Sequence, residues 1–365
     1  YKMYINGEWV APTGNGTADV INPATEEVVA TIALGSAEDV DRAVAAAKAA
    51  FETFSTTSRE ERVELLERIL AAYEARYDDF AATITSELGA PITLSTNAQA
   101  AVGIGHLKAF IETLKTFDFE STSAAGDLIL HEPIGVCGLI TPWNWPINQI
   151  ALKVLPAIAA GCTVVLKPSE VTPLNAILYA EVLHEAGVPP GVFNLVHGEG
   201  PVVGSAMSKH ADIAMMSFTG STRAGTAVSR DAAETVKRVT LELGGKSPNI
   251  VFADSDLDKA VTRGVRHCFQ NTGQSCNAPT RMLVERSVYD RAVEIARETA
   301  AATTVGNPAE EGRHIGPLVS ALQFDRVQTL IKAAVEEDGA TLLAGGPGRP
   351  DGFDKGYFVK PTIFS

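Results

Sequence analysis

The chain has 365 residues, 45% of them hydrophobic and 20% charged, and its formal net charge is −14. This composition is typical of a globular protein, and the length predicts two domains because it exceeds one ordinary hydrophobic core. The acidic balance disfavours nucleic acids and anionic membranes as partners. Four cysteines are scattered without metal-like spacing, so we expect no metal site and a reducing, cytoplasmic location.

The first third of the chain reads as short strands and turns followed by helices. The Asn-Gly pair at positions 6–7 is typical of a hairpin turn. Ser36 and Ser58 each predict the start of a helix, because an acidic residue three positions on can complete a capping box. A further helix is predicted over residues 93–116, and a short β segment at 128–131 reads as an excursion from the main body.

From residue 135 the chain alternates between short apolar runs and helical stretches, which predicts βαβ units and a parallel sheet covered on both faces. Ligands of such sheets bind at the carboxyl ends of the strands. From Asp256 a second α/β region is predicted. The runs that we interpret as strands are 136–140, 163–166, 192–196, 213–218, 239–243 and 249–252, and the helices are 174–186, 202–209, 257–269 and 288–302.

Three side chains could together carry out chemistry at a carbonyl group. Cys276 lies in a polar, Gly-containing turn, Glu242 precedes a Gly-Gly pair, and Asn144 lies between two tryptophans. Each has an ordinary structural explanation when taken alone, such as a small buried thiol or a turn cap. Together they supply a nucleophile, a base for water and a donor for a developing oxyanion, so the sequence predicts an enzyme.

Two further motifs indicate a nucleotide site at the strand ends. Gly220, Ser221 and Gly225 lie where an apolar strand gives way to a helix, and a helix N-terminus can bind a pyrophosphate. An ordinary strand-to-helix turn explains this motif equally well. Lys167 and Glu170 end another strand, where they could bind ribose hydroxyls or form a solvated surface pair.

Five motifs in this order resemble the aldehyde dehydrogenase superfamily, and the resemblance extends from residue 5 to residue 362. The motifs are TPWNWP (141–146), KPSE (167–170), FTGSTRAG (218–225), LELGGKSPN (241–249) and GQSCNAPTR (273–281). The resemblance implies an α/β fold with a Rossmann-type parallel-sheet NAD domain and a second α/β catalytic domain. Family sequences continue beyond Ser365, so the chain is expected to be truncated at its C-terminus and to lack a segment that grips the nicotinamide ribose.

The resemblance also implies domain boundaries and partners. The NAD-binding domain would comprise residues 1–114 and 134–243, and residues 244–365 would form the incomplete catalytic domain. The β excursion at 115–133 would serve oligomerisation, in a homodimer or homotetramer. The substrate would be a small-molecule aldehyde.

Residue roles follow from the motif positions that this sequence shares with the family. Cys276 would be the nucleophile and Glu242 the general base. Asn144 and the Cys276 backbone N–H would hold the oxyanion, and Lys153 would have an auxiliary role. The cofactor would be NAD rather than NADP, because Glu170 would repel a 2′-phosphate. The cofactor-binding residues would be Ile140, Trp143, Lys167, Glu170, Gly200, Gly220, Ser221, Gly225 and Leu243.

Three alternatives stay open on the sequence alone. A CoA-acylating aldehyde dehydrogenase is disfavoured by Glu242, because that branch usually lacks the base. A cofactor-free cysteine hydrolase would need a histidine paired with Cys276, and no such pattern is recognisable. A non-catalytic nucleotide-binding protein on the same fold would not need a reactive thiol.

Overall fold

The structure, a computed structural model, describes residues 1–337 and 339–365. The described chain divides into two compact units. Unit 1 comprises Tyr1–Val20, Ala30–Ala81 and Ala98–Leu243, and unit 2 comprises Ile21–Val29, Ala82–Asn97 and Gly244–Ser365. None of the helices in this described part of the chain is long and apolar enough to cross a membrane.

Before residue 244 the chain opens with short strands, continues with a run of helices and a two-stranded hairpin, and then alternates between strands and helices. In chain order they are β1 (Met3–Ile5), β2 (Glu8–Val10), β3 (Thr17–Asn22), β4 (Glu27–Ala33), α1 (Ala37–Phe54), α2 (Arg59–Ala75), α3 (Tyr77–Leu88), α4 (Ile92–Leu94), α5 (Ala101–Thr116), β5 (Glu120–Thr122), β6 (Leu128–Leu130), β7 (Val136–Ile140), α6 (Pro146–Ala159), β8 (Thr163–Lys167), α7 (Leu174–Glu185), β9 (Phe193–Leu195), α8 (Ser205–Lys209), β10 (Ile213–Gly220), α9 (Thr222–Ala233) and β11 (Arg238–Leu243).

Unit 1 is built around a seven-stranded sheet in the order β11-β10-β7-β8-β9-β1-β2. The first five of these strands are parallel, as the alternating pattern predicts, and β1 and β2 extend the sheet as an antiparallel hairpin. The predicted turn at residues 6–7 joins this hairpin, and both of its residues have positive φ. The order of the parallel strands reverses at β7, which creates a switch point between β7 and β10.

Helices cover both faces of this sheet. Helices α1, α8 and α9 pack on one face, and α6 and α7 pack on the other with α2 and α5 behind them. Every residue of β7 and β8 is buried, as expected for central parallel strands that carry continuous apolar runs. The α/β fold with a parallel-sheet core is therefore confirmed.

The predicted helix starts are confirmed at atomic detail. Ser36 and Ser58 cap α1 and α2, and each forms a reciprocal capping box with the acidic residue three positions on. Two predicted helices are interrupted. The helix expected over 93–116 consists of α4, a π-helical turn (Ser95–Ala100) and α5, and the one expected over 202–209 begins as a π-helical turn (Gly200–Gly204).

Unit 2 contains smaller sheets and three long helices. Its elements after residue 243 are β12 (Pro248–Val251), α10 (Leu257–Phe269), β13 (Arg281–Val284), α11 (Tyr289–Ala301), α12 (Ala321–Glu336), β14 (Leu342–Ala344) and β15 (Ile363–Phe364). The sequence predicts the run at 249–252 as part of the same parallel alternation as β7–β11. It instead forms β12, which pairs with β13, and the sequence pattern does not reveal β13–β15 or α12.

Two N-terminal segments, Ile21–Val29 and Ala82–Asn97, belong to unit 2, whereas the resemblance implies that residues 1–114 belong to the NAD-binding domain. The contacts of α4 and the turn before it explain this difference. The Ile92 N–H donates to the Pro308 carbonyl at 2.8 Å, and the backbone of Gly316 lies directly against the Gly89 carbonyl. The turn at Gly89 also packs on Pro317.

Gly316→Ala tests this backbone contact. A Cβ at Gly316 would overlap the Gly89 carbonyl oxygen, which cannot rotate away because it belongs to the backbone. We expect the free energy of unfolding to fall by about 1–3 kcal/mol, the usual cost of overpacking a buried site. Urea denaturation followed by circular dichroism measures this change.

Gly105 provides the matched control, because a Cβ there has no neighbouring heavy atom within 4 Å. Gly105→Ala should leave the stability unchanged or raise it by up to about 1 kcal/mol, since alanine is the better helix former. Equal stability of the two variants would contradict the packing that we describe for Gly316.

Candidate active site

Three strands of unit 1 end together at one edge of the sheet. In the parallel register Ile140 pairs with Lys167 on β8 and with Phe218 on β10. The Thr141 N–H donates to the Lys167 carbonyl at 3.1 Å, which continues the ladder one residue past β7. This edge is the carboxyl side of the switch point, where doubly wound sheets bind their ligands.

The turn after β10 leads into α9 and exposes its N-terminus. The Ser221 hydroxyl accepts from the Ala224 N–H at 3.2 Å and so caps the helix. The first turn of α9 has no acidic residue, which leaves its N–H groups and dipole favourable to an anion. Gly225 is buried, and a Cβ there would lie 2.7 Å from Leu243 Cδ2, so this glycine lets α9 approach the end of β11.

Lys167 and Glu170 form an ion pair at the end of β8. Lys167 Nζ donates to the Pro168 carbonyl at 2.8 Å and to Glu170 Oε2 at 3.3 Å. Burial lowers the pKa of Lys167, and the charge of Glu170 opposes that shift. The Lys167 side chain is buried whereas that of Glu170 is 41% exposed, so the carboxylate is open to a ligand.

Lys153 is a buried cation beside the predicted base. Its Nζ donates to the Ser217 hydroxyl on β10 at 2.9 Å. Burial lowers the pKa of Lys153 to about 8, and the negative charge of Glu242 partly offsets this effect. Glu242 lies on β11 at the level of Thr219 and is exposed.

The loop that carries Asn144 is held by side chains from outside the loop. The buried Gln99 donates through Nε2 to the Asn144 carbonyl at 3.2 Å, and the Thr172 hydroxyl donates to the Trp143 carbonyl at 3.5 Å. The Asn144 side chain is half-buried. The next helix, α6, begins at Pro146, whose missing N–H costs nothing at a helix start.

Cys276 lies in unit 2, on an exposed loop that follows α10. A left-handed turn at residues 271–273 leads into this loop. A Cβ at Gly245 would lie 3.1 Å from the Cys276 carbonyl oxygen. Gly245 therefore lies against the Cys276 backbone within unit 2.

The other three cysteines lie in different surroundings from Cys276. Cys137 and Cys162 are buried, and Cys268 is half-buried on α10, where burial raises the pKa of its thiol. A thiol with a raised pKa is a poor nucleophile at neutral pH because little of it is ionised. A hydrogen bond from Cys137 lowers the pKa of the Cys162 thiol, but Cys162 is buried, and Cys276 is the cysteine that is exposed.

The structure brings most of the sequence-predicted residues to one edge of unit 1. Gly200 lies in an open part of this edge, since a Cβ there would meet no atom within 4 Å. Cys276 alone belongs to unit 2. The residues that end or follow the strands at this edge are Ile140, Trp143, Asn144, Lys167, Glu170, Gly220, Ser221, Glu242 and Leu243. In the described residues, no group of three or more His, Cys, Asp or Glu side chains could hold a metal ion.

Sequence reasoning missed four polar residues near these groups. Ser217, Gln99 and Gln274 make their bonds through the tertiary structure, so no local pattern reveals their role. His197 follows β9 and is 1% exposed, and among the described residues neither ring nitrogen has a hydrogen-bond partner. Burial, with the nearby charges of Lys167 and the N-terminus, lowers the pKa of His197 to about 3.

Comparisons with known proteins agree with this geometry. The model of the aldehyde dehydrogenase family matches residues 9–365. A 3-succinoylsemialdehyde-pyridine dehydrogenase from a Pseudomonas species is 53% identical over 365 residues, which are 100% of this chain and 76% of that protein.

Solved structures of aldehyde dehydrogenases are also similar to this chain. An aldehyde dehydrogenase from Bartonella henselae has a TM-score of 0.98 and 54% identity, over 100% of this chain and 76% of that one. Aldehyde dehydrogenase C from Pseudomonas syringae has a TM-score of 0.97 and 51% identity, over 100% of this chain and 74% of that one. The second was solved as a cysteine-to-alanine mutant with NAD+ and octanal.

Lys153→Met tests the charge state of the buried lysine. The pKa of Lys153 is about 8 in the folded protein and 10.5 in its ordinary state, so the folded form binds fewer protons between these values. Raising the pH through this window therefore stabilises the folded protein, by up to about 3 kcal/mol. Lys153→Met lacks this gain. Its free energy of unfolding, measured by urea denaturation, should therefore decrease relative to that of the unmodified protein as the pH rises from 7.5 to 10.5.

Lys115→Met is the control for this measurement. Glu112 and Glu67 raise the pKa of the exposed Lys115, so its stabilising contribution is fully present below its ordinary pKa and is lost only above it. The stability difference for this variant should stay constant over the same window. The same flat profile for Lys153→Met would show that Lys153 titrates as an ordinary exposed lysine.

Proposed function

The chain belongs to the aldehyde dehydrogenase family and oxidises an aldehyde with NAD as cofactor, and we propose that Cys276 is the nucleophile of this reaction. The observation that carries the proposal is the exposure of Cys276 on a loop, while the other three cysteines are buried or half-buried. Only a thiol that the substrate can reach can attack a carbonyl.

In the proposed mechanism the Cys276 thiolate adds to the aldehyde carbon and forms a thiohemiacetal. The Asn144 amide N–H donates to the oxygen that gains negative charge, and loss of one such donor typically costs about 100- to 1000-fold in turnover. NAD supplies the hydride acceptor when it is bound, and Cys276 then carries the acyl group as a thioester. Glu242 takes a proton from water, which attacks the thioester and releases the carboxylic acid.

Lys153 has an electrostatic role in this proposal. The negative charge of Glu242 opposes the effect of burial on the pKa of Lys153, so the two side chains lie close enough to attract each other. The pKa of Lys153 is about 8, so most Lys153 side chains are protonated and positively charged at pH 7. Its hydrogen bond to the Ser217 hydroxyl holds the ammonium beside β10.

We propose that residues of unit 1 bind the pyrophosphate and a ribose of NAD. The capped, acid-free N-terminus of α9 suits the pyrophosphate, and the open space at Gly200 leaves room at the strand edge. Lys167 Nζ and Glu170 Oε2 supply a donor and an acceptor for ribose hydroxyls. Ile140, Trp143 and Leu243 would line the same groove.

The hairpin of β5 and β6 supports a further proposal about assembly. Leu128, Ile129 and Leu130 of β6 are 66%, 42% and 50% exposed, which is unusual for three consecutive apolar residues. We propose that this hairpin contacts another subunit in a homodimer or homotetramer. A cytoplasmic location stays a prediction from the sequence.

The names of two relatives suggest which aldehydes to test as substrates. One relative is named for 3-succinoylsemialdehyde-pyridine, and another was solved with octanal. We propose uncharged aldehydes of these two kinds as the first substrates to test.

Cys276→Ala should abolish NADH formation from octanal and NAD, because no other side chain can replace the attacking thiolate. The dissociation constant for NAD, measured by fluorescence titration, should stay nearly unchanged, since the proposed cofactor residues lie in unit 1. In the unmodified protein, iodoacetamide should label Cys276 before the other cysteines.

Cys268→Ala is the matched control, because it removes a half-buried thiol from α10 and should retain activity. Loss of activity in Cys268→Ala together with activity in Cys276→Ala would reverse the assignment of the nucleophile.

Glu170→Ser should narrow the preference for NAD over NADP. The exposed carboxylate favours ribose hydroxyls and repels a 2′-phosphate, so its removal should raise kcat/KM for NADP relative to NAD by about tenfold. Steady-state kinetics with both cofactors measure the ratio.

Glu234→Ser makes the same charge change at the C-terminal end of α9 and should leave the ratio unchanged. Comparable efficiency with NAD and NADP in the unmodified protein would rule out the role of Glu170.

A further inference from the structure

The backbone before Cys276 adopts a conformation that needs support. Asn271, Thr272 and Gly273 have φ values of 54°, 57° and 74°, so three consecutive residues are left-handed. Non-glycine residues are sterically disfavoured in this region. Contacts from the surrounding structure must therefore hold the turn.

Gln274 supplies two of these contacts through one side-chain amide. Its Oε1 accepts from the Val319 N–H at 3.0 Å, and its Nε2 donates to the Asn271 carbonyl at 3.1 Å. The amide thus bridges the left-handed turn to the segment at 315–319. Asn271 is itself buried, at 3% exposure, so the turn is fixed from both sides.

Thr272 adds a second point of attachment to the same segment. Its hydroxyl donates to the Gly316 carbonyl at 3.0 Å. The segment is a firm support, because residues 315–319 are all buried and the Leu318 N–H donates to the Tyr357 carbonyl at 2.9 Å. Cys276 is only two residues beyond Gln274, so the place of its thiol depends on this bridge.

We infer that Gln274 is a positioning residue for the nucleophile: it acts on the reaction through Cys276 and not by contact with substrate. This inference rests on the proposed function. A bond that only stabilised unit 2 would change the melting temperature but not the turnover of molecules that stay folded. A positioning bond changes turnover in folded molecules, because a shift of about 1 Å can cost about 100-fold in rate.

The test compares three variants. Gln274→Met keeps the side-chain length but removes both hydrogen bonds. Gln274→Glu keeps an acceptor for the Val319 N–H and loses the donor to Asn271. Gln270→Met is the matched control, because Gln270 is an exposed glutamine four residues earlier in the same segment.

We expect kcat to fall by about 100-fold in Gln274→Met and by less in Gln274→Glu, with KM for NAD unchanged, at a temperature where circular dichroism shows all variants folded. Gln270→Met should match the unmodified protein. Alkylation of Cys276 by iodoacetamide should stay within about twofold, because a small reagent does not require the thiol in one orientation.

Two results would overturn the inference. One is a kcat of folded Gln274→Met close to that of the unmodified protein. The other is a parallel loss of kcat and alkylation rate, because Gln274 would then act on the reactivity of the thiol and not on its place.

Hydrogen exchange at the Val319 amide tests the Gln274 bridge without any measurement of enzymatic activity. If the unmodified protein oxidises no aldehyde, the proposed function fails, and hydrogen exchange at the Val319 amide still tests the bridge. Exchange there should be at least about tenfold faster in Gln274→Met than in Gln270→Met, since the loss of one hydrogen bond worth about 1.4 kcal/mol has that effect. Equal exchange in the two variants would overturn the bridge itself.

Discussion

The parallel pairing of β7 with β8 and β10 is the constraint on which the candidate site of unit 1 depends. This register places Ile140, Lys167 and Gly220 at one edge, although 80 positions separate the first from the last. Continuous burial of β7 and β8 leaves little freedom to slip, because a shift of one residue would move side chains between the two faces. The loops beyond the edge can therefore carry functional groups on a rigid base.

Two buried lysines show how the sheet edge tolerates charge. Lys153 and Lys167 are 8% and 2% exposed, and in both cases burial disfavours the charged form. Each has a hydrogen-bond acceptor and a carboxylate whose charge opposes the shift, Glu242 for the first and Glu170 for the second. The cost of burial is thus partly offset by groups that we also propose to act on the substrate and the cofactor.

The sequence predicts the elements of unit 1 well because its signals there are local. The apolar run of β7, the capping residues Ser36 and Ser58 and the Asn-Gly turn each depend on a few neighbouring residues. Long-range pairings carry no such signal. The bond from Gln274 to Val319 spans 45 positions, and that from Lys153 to Ser217 spans 64.

The same distinction explains the site. Motif order leads to Cys276, Glu242 and Asn144 by resemblance, and the apolar runs identify the strand before Asn144 and the strand that contains Glu242. The residues that hold these groups, such as Gln99 and Gln274, become visible only when distant segments meet. The partner of β12 is not predicted for a related reason, because an apolar run shows that a strand forms but not which strand it pairs with.

The assignment of residues 82–97 to unit 2 has a consequence for synthesis of the chain. These residues leave the ribosome more than 200 positions before Gly316, against which the Gly89 backbone packs. The parallel strands of unit 1 are complete by Leu243, so that unit can begin to fold while the support for the α4 segment does not yet exist. Such non-local contacts slow folding, because a long loop must close before they form. Residues 82–97 must therefore wait for their contacts with the Gly316 segment until late in translation. A chaperone that holds unfolded segments would have its strongest effect at this stage.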